Sequence, residues 1–116
     1  MLDSAFKQAR KATQAVLVLS DLITLEHRGK VAALAAKYRL PAMYPLREFA
    51  ESGGLMAYGP DRVVLFRRAA DYVDKILRGT KPADLPFEQP TQYEFIVNLK
   101  AARASGIIIP ANEVIR

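Results

Sequence analysis

Three polar clusters punctuate this chain: Ser20-Asp21, Tyr44-Pro45-Leu46-Arg47-Glu48 and Tyr58-Gly59-Pro60-Asp61. Tyr44 supplies a ring to stack on, Arg47 a planar fork for a carboxylate and Glu48 an acid for an amine, which are the pieces needed to hold a small zwitterion. Ser20 and Asp21 add a hydroxyl and a carboxylate at the start of a helix, whose unpaired N–H groups favour anions and polar ligand atoms. Each cluster has a structural reading beside the binding one. Ser20 or Asp21 caps the helix, and Tyr44 to Glu48 is an exposed turn with solvated charges. Spacing does not separate the two.

Other chemistries are narrowed by what the chain lacks. With no cysteine there is no thiolate metal site, iron–sulfur cluster or cysteine nucleophile, and one histidine, His27, cannot build a multi-histidine metal centre or relay. His27 falls at helical spacing with Ile23, Val31 and Leu34, which reads as a packed side chain before it reads as a catalyst. Glu48 and Glu51 would form an acid–base pair only if burial drove their pKa values apart, and nothing flanking them suggests that burial. There is no GxGxxG and no GxxxxGK[ST], so nucleotide binding fails on the motif. The net charge is +5 (17 basic, 12 acidic), but the basic residues are spread along the chain instead of gathered, which disfavours nucleic acid. Catalytic, metal and cofactor residues are assigned to none.

The elements that must position these clusters follow from periodicity. The 116 residues suffice for one domain with one core, and 51% hydrophobic with 25% charged residues is the composition of a folding chain. Leu2, Phe6, Ala9 and Thr13 mark an amphipathic helix, and Ala15 to Leu19 an apolar run that suits a strand buried on both faces. A helical pattern runs from Ile23 to Tyr38, and Pro41 closes it. Pro41 to Tyr44 and Leu55 to Tyr58 read as strands, with one or two helical turns over Leu46 to Glu51 between them. Tyr58-Gly59-Pro60 allows a close backbone approach.

From Asp61 the most regular helix carries an apolar stripe of Val64, Leu65, Ala69, Tyr72, Val73, Ile76 and Leu77, with Gly79 at the expected left-handed cap. Arg67 with Asp71, and Asp71 with Lys75, are four apart on its outer side. Lys81 to Pro90 holds three of the seven prolines and reads as a connector without regular structure. Tyr93 to Leu99 is a strand, Lys100 to Ser105 a brief helix ended by Gly106, and Ile107 to Pro110 an extended segment. Strands alternating with helices imply a parallel sheet covered by helices, with ligands at the carboxyl ends of the strands. Ser20-Asp21, Tyr44 to Glu48 and Tyr58 to Asp61 are three such ends.

Taken together, Arg47-Glu48-Phe49-Ala50-Glu51-Ser52-Gly53-Gly54-Leu55-Met56-Ala57-Tyr58-Gly59-Pro60-Asp61, Arg67 to Gly79, Lys81-Pro82-Ala83-Asp84-Leu85-Pro86, Glu88-Gln89-Pro90-Thr91 and Asn98-Leu99-Lys100 resemble one family. It is the ABC transporter substrate-binding protein family, of the tryptophan-type periplasmic binding proteins; the likeness covers nearly the whole chain, most specifically from about Leu40 onward, and matches only the C-terminal portion of the family's proteins. It implies an α/β, three-layer Rossmann-like parallel sheet forming one lobe of a type I periplasmic binding protein. The role implied is capture of a small organic solute, such as an amino acid, for an ABC importer and its membrane permease, with no chemistry on the ligand. In the family, the loops matching Ser20-Asp21, Tyr44 to Glu48 and Gly54 to Tyr58 face the ligand cleft, so Ser20, Asp21, Tyr44, Arg47, Glu48 and Tyr58 are the expected ligand-binding residues.

Residues 1–116 are thus expected to be one α/β domain, with those from about 60 packing toward the lobe not included in the likeness, or toward a partner chain. Surface left bare there predicts a homodimer, formed by exchange of the C-terminal strand or helix. The family is periplasmic, and the N-terminal stretch of this chain reads as no signal peptide. A cytosolic effector-sensing domain, a small Rossmann-like enzyme and a fragment without independent activity are the competing readings.

Overall fold

The computed structural model describes residues 1–110 and 113–115. The order is α1 (Leu2–Ala12), β1 (Val16–Leu17), α2 (Leu22–Glu26), α3 (Arg28–Lys37), β2 (Ala42–Tyr44), α4 (Arg47–Glu51), β3 (Met56–Pro60), α5 (Arg62–Leu77), a 3₁₀ turn (Pro82–Asp84), β4 (Tyr93–Asn98), α6 (Leu99–Ser105) and β5 (Glu113–Ile115). The chain divides into two compact units, Met1–Gly59 with Glu94–Arg116, and Pro60–Tyr93.

The first unit is built on a sheet in the order β1-β2-β3-β4-β5. β1 pairs with β2, β2 with β3, and β4 with β5, all parallel. The Asn98 N–H donates to the Leu55 carbonyl at 2.9 Å, so the end of β4 lies beside the start of β3. Successive strand residues face opposite ways. Accordingly Ile96 joins a core with Tyr44, Phe49, Val31, Leu34 and Phe6, while Val97 joins a second cluster with Leu55 and Ala102. α1 buries Phe6 and is tied down at Asp3, which accepts from Lys37 Nζ at 2.9 Å and the Tyr38 hydroxyl at 3.0 Å. Those two bonds, Lys37's first, hold the Asp3 carboxyl below the usual range.

Several expectations change on contact with packing. The run Ala15 to Leu19 is not buried on both faces: Val18 turns inward, but Leu17 and Leu19 are 67% and 74% exposed. β1 is first in the sheet and has a neighbour on one side only. The helix expected from Ile23 to Tyr38 is two helices with His27 at the junction (φ −97°, ψ 22°), and His27 is exposed instead of packed. Arg28 pins the break, donating to the Leu25 carbonyl and to the Ser52 hydroxyl, each at 3.1 Å. Ile107 to Pro110 has no regular structure, and the sequence reading assigns no strand at β5.

The second unit centres on α5. The Asp61 carboxylate caps it through the N–H groups of Val63 (2.9 Å) and Val64 (3.3 Å). Gly79, at φ +105°, ends it in a Schellman motif, with Thr80 N–H donating to the Lys75 carbonyl and Gly79 N–H to that of Ile76. The surface pairs differ from those expected: Arg68 meets Asp71 and Glu88, and Arg78 meets Asp74. The connector contains the 3₁₀ turn, and its Pro86 carbonyl accepts from the Tyr72 hydroxyl. No described residue of α5 is buried, and of its stripe Val64, Leu65 and Tyr72 are half-buried while Val73 and Leu77 are 55% and 81% exposed.

Phe49 is wholly buried and stacks on Tyr44. Phe49→Ala is expected to cost about 3–5 kcal/mol, by lost transfer energy plus a cavity, as read in urea denaturation.

Candidate functional site

The parallel register sets the geometry of the strand ends. Val16 aligns with Ala42 and Leu17 with Met43, while Met43 aligns with Met56 and Tyr44 with Ala57. Leu19 to Asp21 after β1, Pro45 to Arg47 after β2 and Tyr58-Gly59 in the last half of β3 therefore lie side by side on one rim. A Cβ on Gly59 would fall onto the Pro45 carbonyl oxygen, so the ends of β2 and β3 touch through backbone, the close approach expected there.

On this rim the expected residues have distinct roles. Asp21 caps α2: its carboxylate accepts from Thr24 N–H at 2.7 Å, while Thr24 Oγ1 accepts from Asp21 N–H at 3.2 Å and donates to the Leu19 carbonyl at 3.1 Å. This capping box satisfies the helix start and leaves Ser20 and Asp21 both exposed. Glu48 is half-buried in the first turn of α4, and Tyr58 is 55% exposed.

Tyr44 stands apart from the other five. Its ring is wholly buried and stacks on Phe49 with centroids 5.0 Å apart and planes 13° from parallel. Tyr44 aligns with Ala57, so Tyr58 projects to the opposite face of the sheet. Tyr44 thus supports the rim from the core and offers no stacking face to a ligand there. Its hydroxyl has no hydrogen-bond partner among the described residues, and burial pushes its pKa up to about 12.

Arg47 is the first residue of α4, two before Phe49, and its fork is engaged. Nε and Nη2 meet the two Glu94 oxygens at 3.3 and 3.0 Å, and Nη1 lies 3.8 Å from Glu51. Glu94 is the functional candidate that sequence reasoning missed. The available signal was one acid in the otherwise apolar run Phe95-Ile96-Val97, where a half-buried carboxylate needs a cation. The rim therefore presents a hydroxyl, a capping carboxylate, a neutralised guanidinium, Glu48 and an exposed phenol ring. That set can orient and discriminate a small polar ligand.

Residues 1–115 match the family model described as ABC transporter substrate binding protein. An uncharacterized protein of Rickettsia prowazekii (strain Madrid E) is 26% identical over 108 residues, covering 93% of this chain and 36% of that protein. A conserved domain protein from Vibrio cholerae superposes with TM-score 0.88 at 22% identity, covering 98% of this chain and 40% of the other. The ABC domain of Streptococcus pneumonia in complex with L-Trp gives 0.87 at 24% identity, over 98% and 42%. A ligand-free, open substrate binding protein with adhesive properties from Clostridium difficile gives 0.74 at 19%, over 99% and 40%. The α/β fold is that of these proteins, and the chain spans roughly two fifths of their length or less.

Gly59→Ala is expected to lower stability by at least 2 kcal/mol, since backbone must move to admit the methyl group, as measured by thermal denaturation. Tyr44→Phe should raise stability by about 1 kcal/mol at neutral pH by removing a buried hydroxyl with no partner. Because the folded pKa of Tyr44 lies above the unfolded value near 10, its contribution is intact below pH 10 and is lost as pH climbs through about 12. The alkaline fall in denaturation midpoint should therefore be shallower in Tyr44→Phe.

Proposed function

The chain belongs to the ABC transporter substrate-binding protein family, and from that premise we propose that it forms the solute-gripping wall of an importer's binding protein, acting outside the cytoplasm with a membrane permease. The ligand is a small organic solute such as an amino acid, held at the rim by Ser20, Asp21, Arg47, Glu48 and Tyr58 with Tyr44 supporting from beneath. The observation that carries this reading is the contiguity of three parallel strand ends with those side chains on one edge. Open α/β sheets bind ligands at that edge. The neighbour in complex with L-Trp supports an amino acid as the solute class.

A ligand carboxylate would share Arg47 with Glu94, so closure onto the ligand exchanges one charge-assisted pair for another. Selectivity then comes from how well the solute replaces Glu94's hydrogen bonds. Titrating the chain with L-Trp and other amino acids, followed by amide NMR shifts, should move residues 19–21, 45–48 and 58–59 at affinities weaker than micromolar. Shifts confined elsewhere would overturn the site, and micromolar or tighter binding would overturn its dependence on a second wall.

Phe66 (67% exposed), Val63, Val73 and Leu77 leave α5 with an apolar surface of the kind that marks an interface. A homodimer covers it in the isolated chain, by our reading. Light scattering at tens of micromolar should give twice the chain mass, reduced to a single chain by Phe66→Glu with Leu77→Glu; a monomeric wild type would overturn the dimer.

A further inference from the structure

At the end of the first unit away from the rim, the starts of β2 and β3 border a cavity of about 630 Å³, within the range of small-molecule sites. Leu40, Pro41 and Ala42 lead into β2 there, and Leu55 leads into β3. Its sides are the small residues of two helices, Ala36 of α3 and Ala104 of α6 among them. The polar features point one way. Among the described lining residues the charged ones are Arg39 and Lys100, both cationic, and no carboxylate lines the cavity. Neither cation has an ion pair among the described residues. Asn98 is spent internally, donating to the Ala50 carbonyl and accepting from Ala101 N–H. Tyr44 also lines the cavity, and its wholly buried hydroxyl is the described side-chain group left without a partner.

Both cations sit where local chemistry prefers something else. Arg39 closes α3 in the left-handed conformation, φ +51°, at the position of a Schellman motif that glycine fills without strain; Leu40 N–H donates to Ala35 and Arg39 N–H to Ala36. Lys100 is the second residue of α6, where the positive end of the helix favours an acid. Departures from local preference concentrate where a residue serves something other than folding. Here two such departures place positive charge on one apolar cavity.

We propose that this cavity is a ligand site, separate from the rim, for a small amphipathic carboxylate. The aliphatic body lies between α3 and α6, and the carboxylate accepts from the Tyr44 hydroxyl in the field of Arg39 and Lys100.

The test uses the full chain with decanoate as probe and decylamine as its cationic counterpart, read by amide NMR shifts and calorimetry. Decanoate should bind saturably with shifts at 36–42, 53–55 and 100–107, at least tenfold tighter than decylamine. Lys100→Glu suits the first turn of α6 and keeps the fold; it should weaken decanoate tenfold or more and narrow the difference between the probes. Ala104→Phe, at an exposed helix position, should weaken both probes. Absence of saturable binding, shifts confined to the rim or to residues 62–77, or decanoate affinity unchanged in Lys100→Glu would each overturn the proposal. Failure of the amino-acid titration at the rim would leave this outcome unaffected.

Discussion

The stack of Tyr44 on Phe49 is the contact on which the rest of the first unit depends. β2 ends at Tyr44, and its ring passes beneath α4 to meet Phe49, both side chains wholly withdrawn from solvent. α4 has only five residues, far too few to persist as an isolated helix. Packing on Tyr44 is what gives it a position, and with it the position of Arg47 at its first residue. The guanidinium at the rim is thus borne by a helix that a hydrophobic contact two residues along holds in place. The same ring leaves its hydroxyl unpartnered beside the cavity at the other end of the sheet.

Electrostatics at the two ends contrast. At the rim Arg47 is answered by Glu94 in a two-pronged pair, with side chains only 32% and 19% exposed. A cation so held is oriented in advance but contributes little net field, so recognition there rests on replacing hydrogen bonds more than on attraction. At the cavity Arg39 and Lys100 face no carboxylate among the described lining residues, and their field is open to whatever enters. Aligned strands and one buried tyrosine therefore join a polar edge whose guanidinium is paired to an apolar recess whose cations are not.

What could be read from sequence follows the range of the interactions. α1, β2, α4, β3, α5, β4 and α6 are legible because their signals are local: spacing of apolar residues, Pro41, Asp61 as cap, Gly79 and Gly106 as left-handed stops. Adjacent strand ends follow from parallel order, which alternation implies. Tyr44 reads as a rim residue because it ends an expected strand beside Arg47 and Glu48, and the tertiary position of Phe49 is what turns its ring inward. His27 reads as packed because helical spacing runs through it from Ile23 to Leu34, whereas Arg28 donates to the Leu25 carbonyl and, 24 positions away, to the Ser52 hydroxyl at the break between two helices. Glu94 and Arg47 are 47 positions apart, and no periodicity connects them.

The second unit separates two questions that periodicity merges. The stripe on α5 correctly marks a helix, but it does not say what the stripe is buried against. Local bonds suffice to define the helix: the Asp61 cap, the Schellman turn at Gly79, Arg68 to Glu88 and Tyr72 to Pro86. None of them removes apolar surface from water, and no described residue of α5 is buried. Hydrophobic burial is the dominant favourable contribution to folding, so a helix with only Val64, Leu65 and Tyr72 of its stripe half-buried and no residue fully buried among those described is marginal. Whatever covers Phe66, Val73 and Leu77 adds that contribution by association, and the stability of this unit becomes linked to the concentration of its cover.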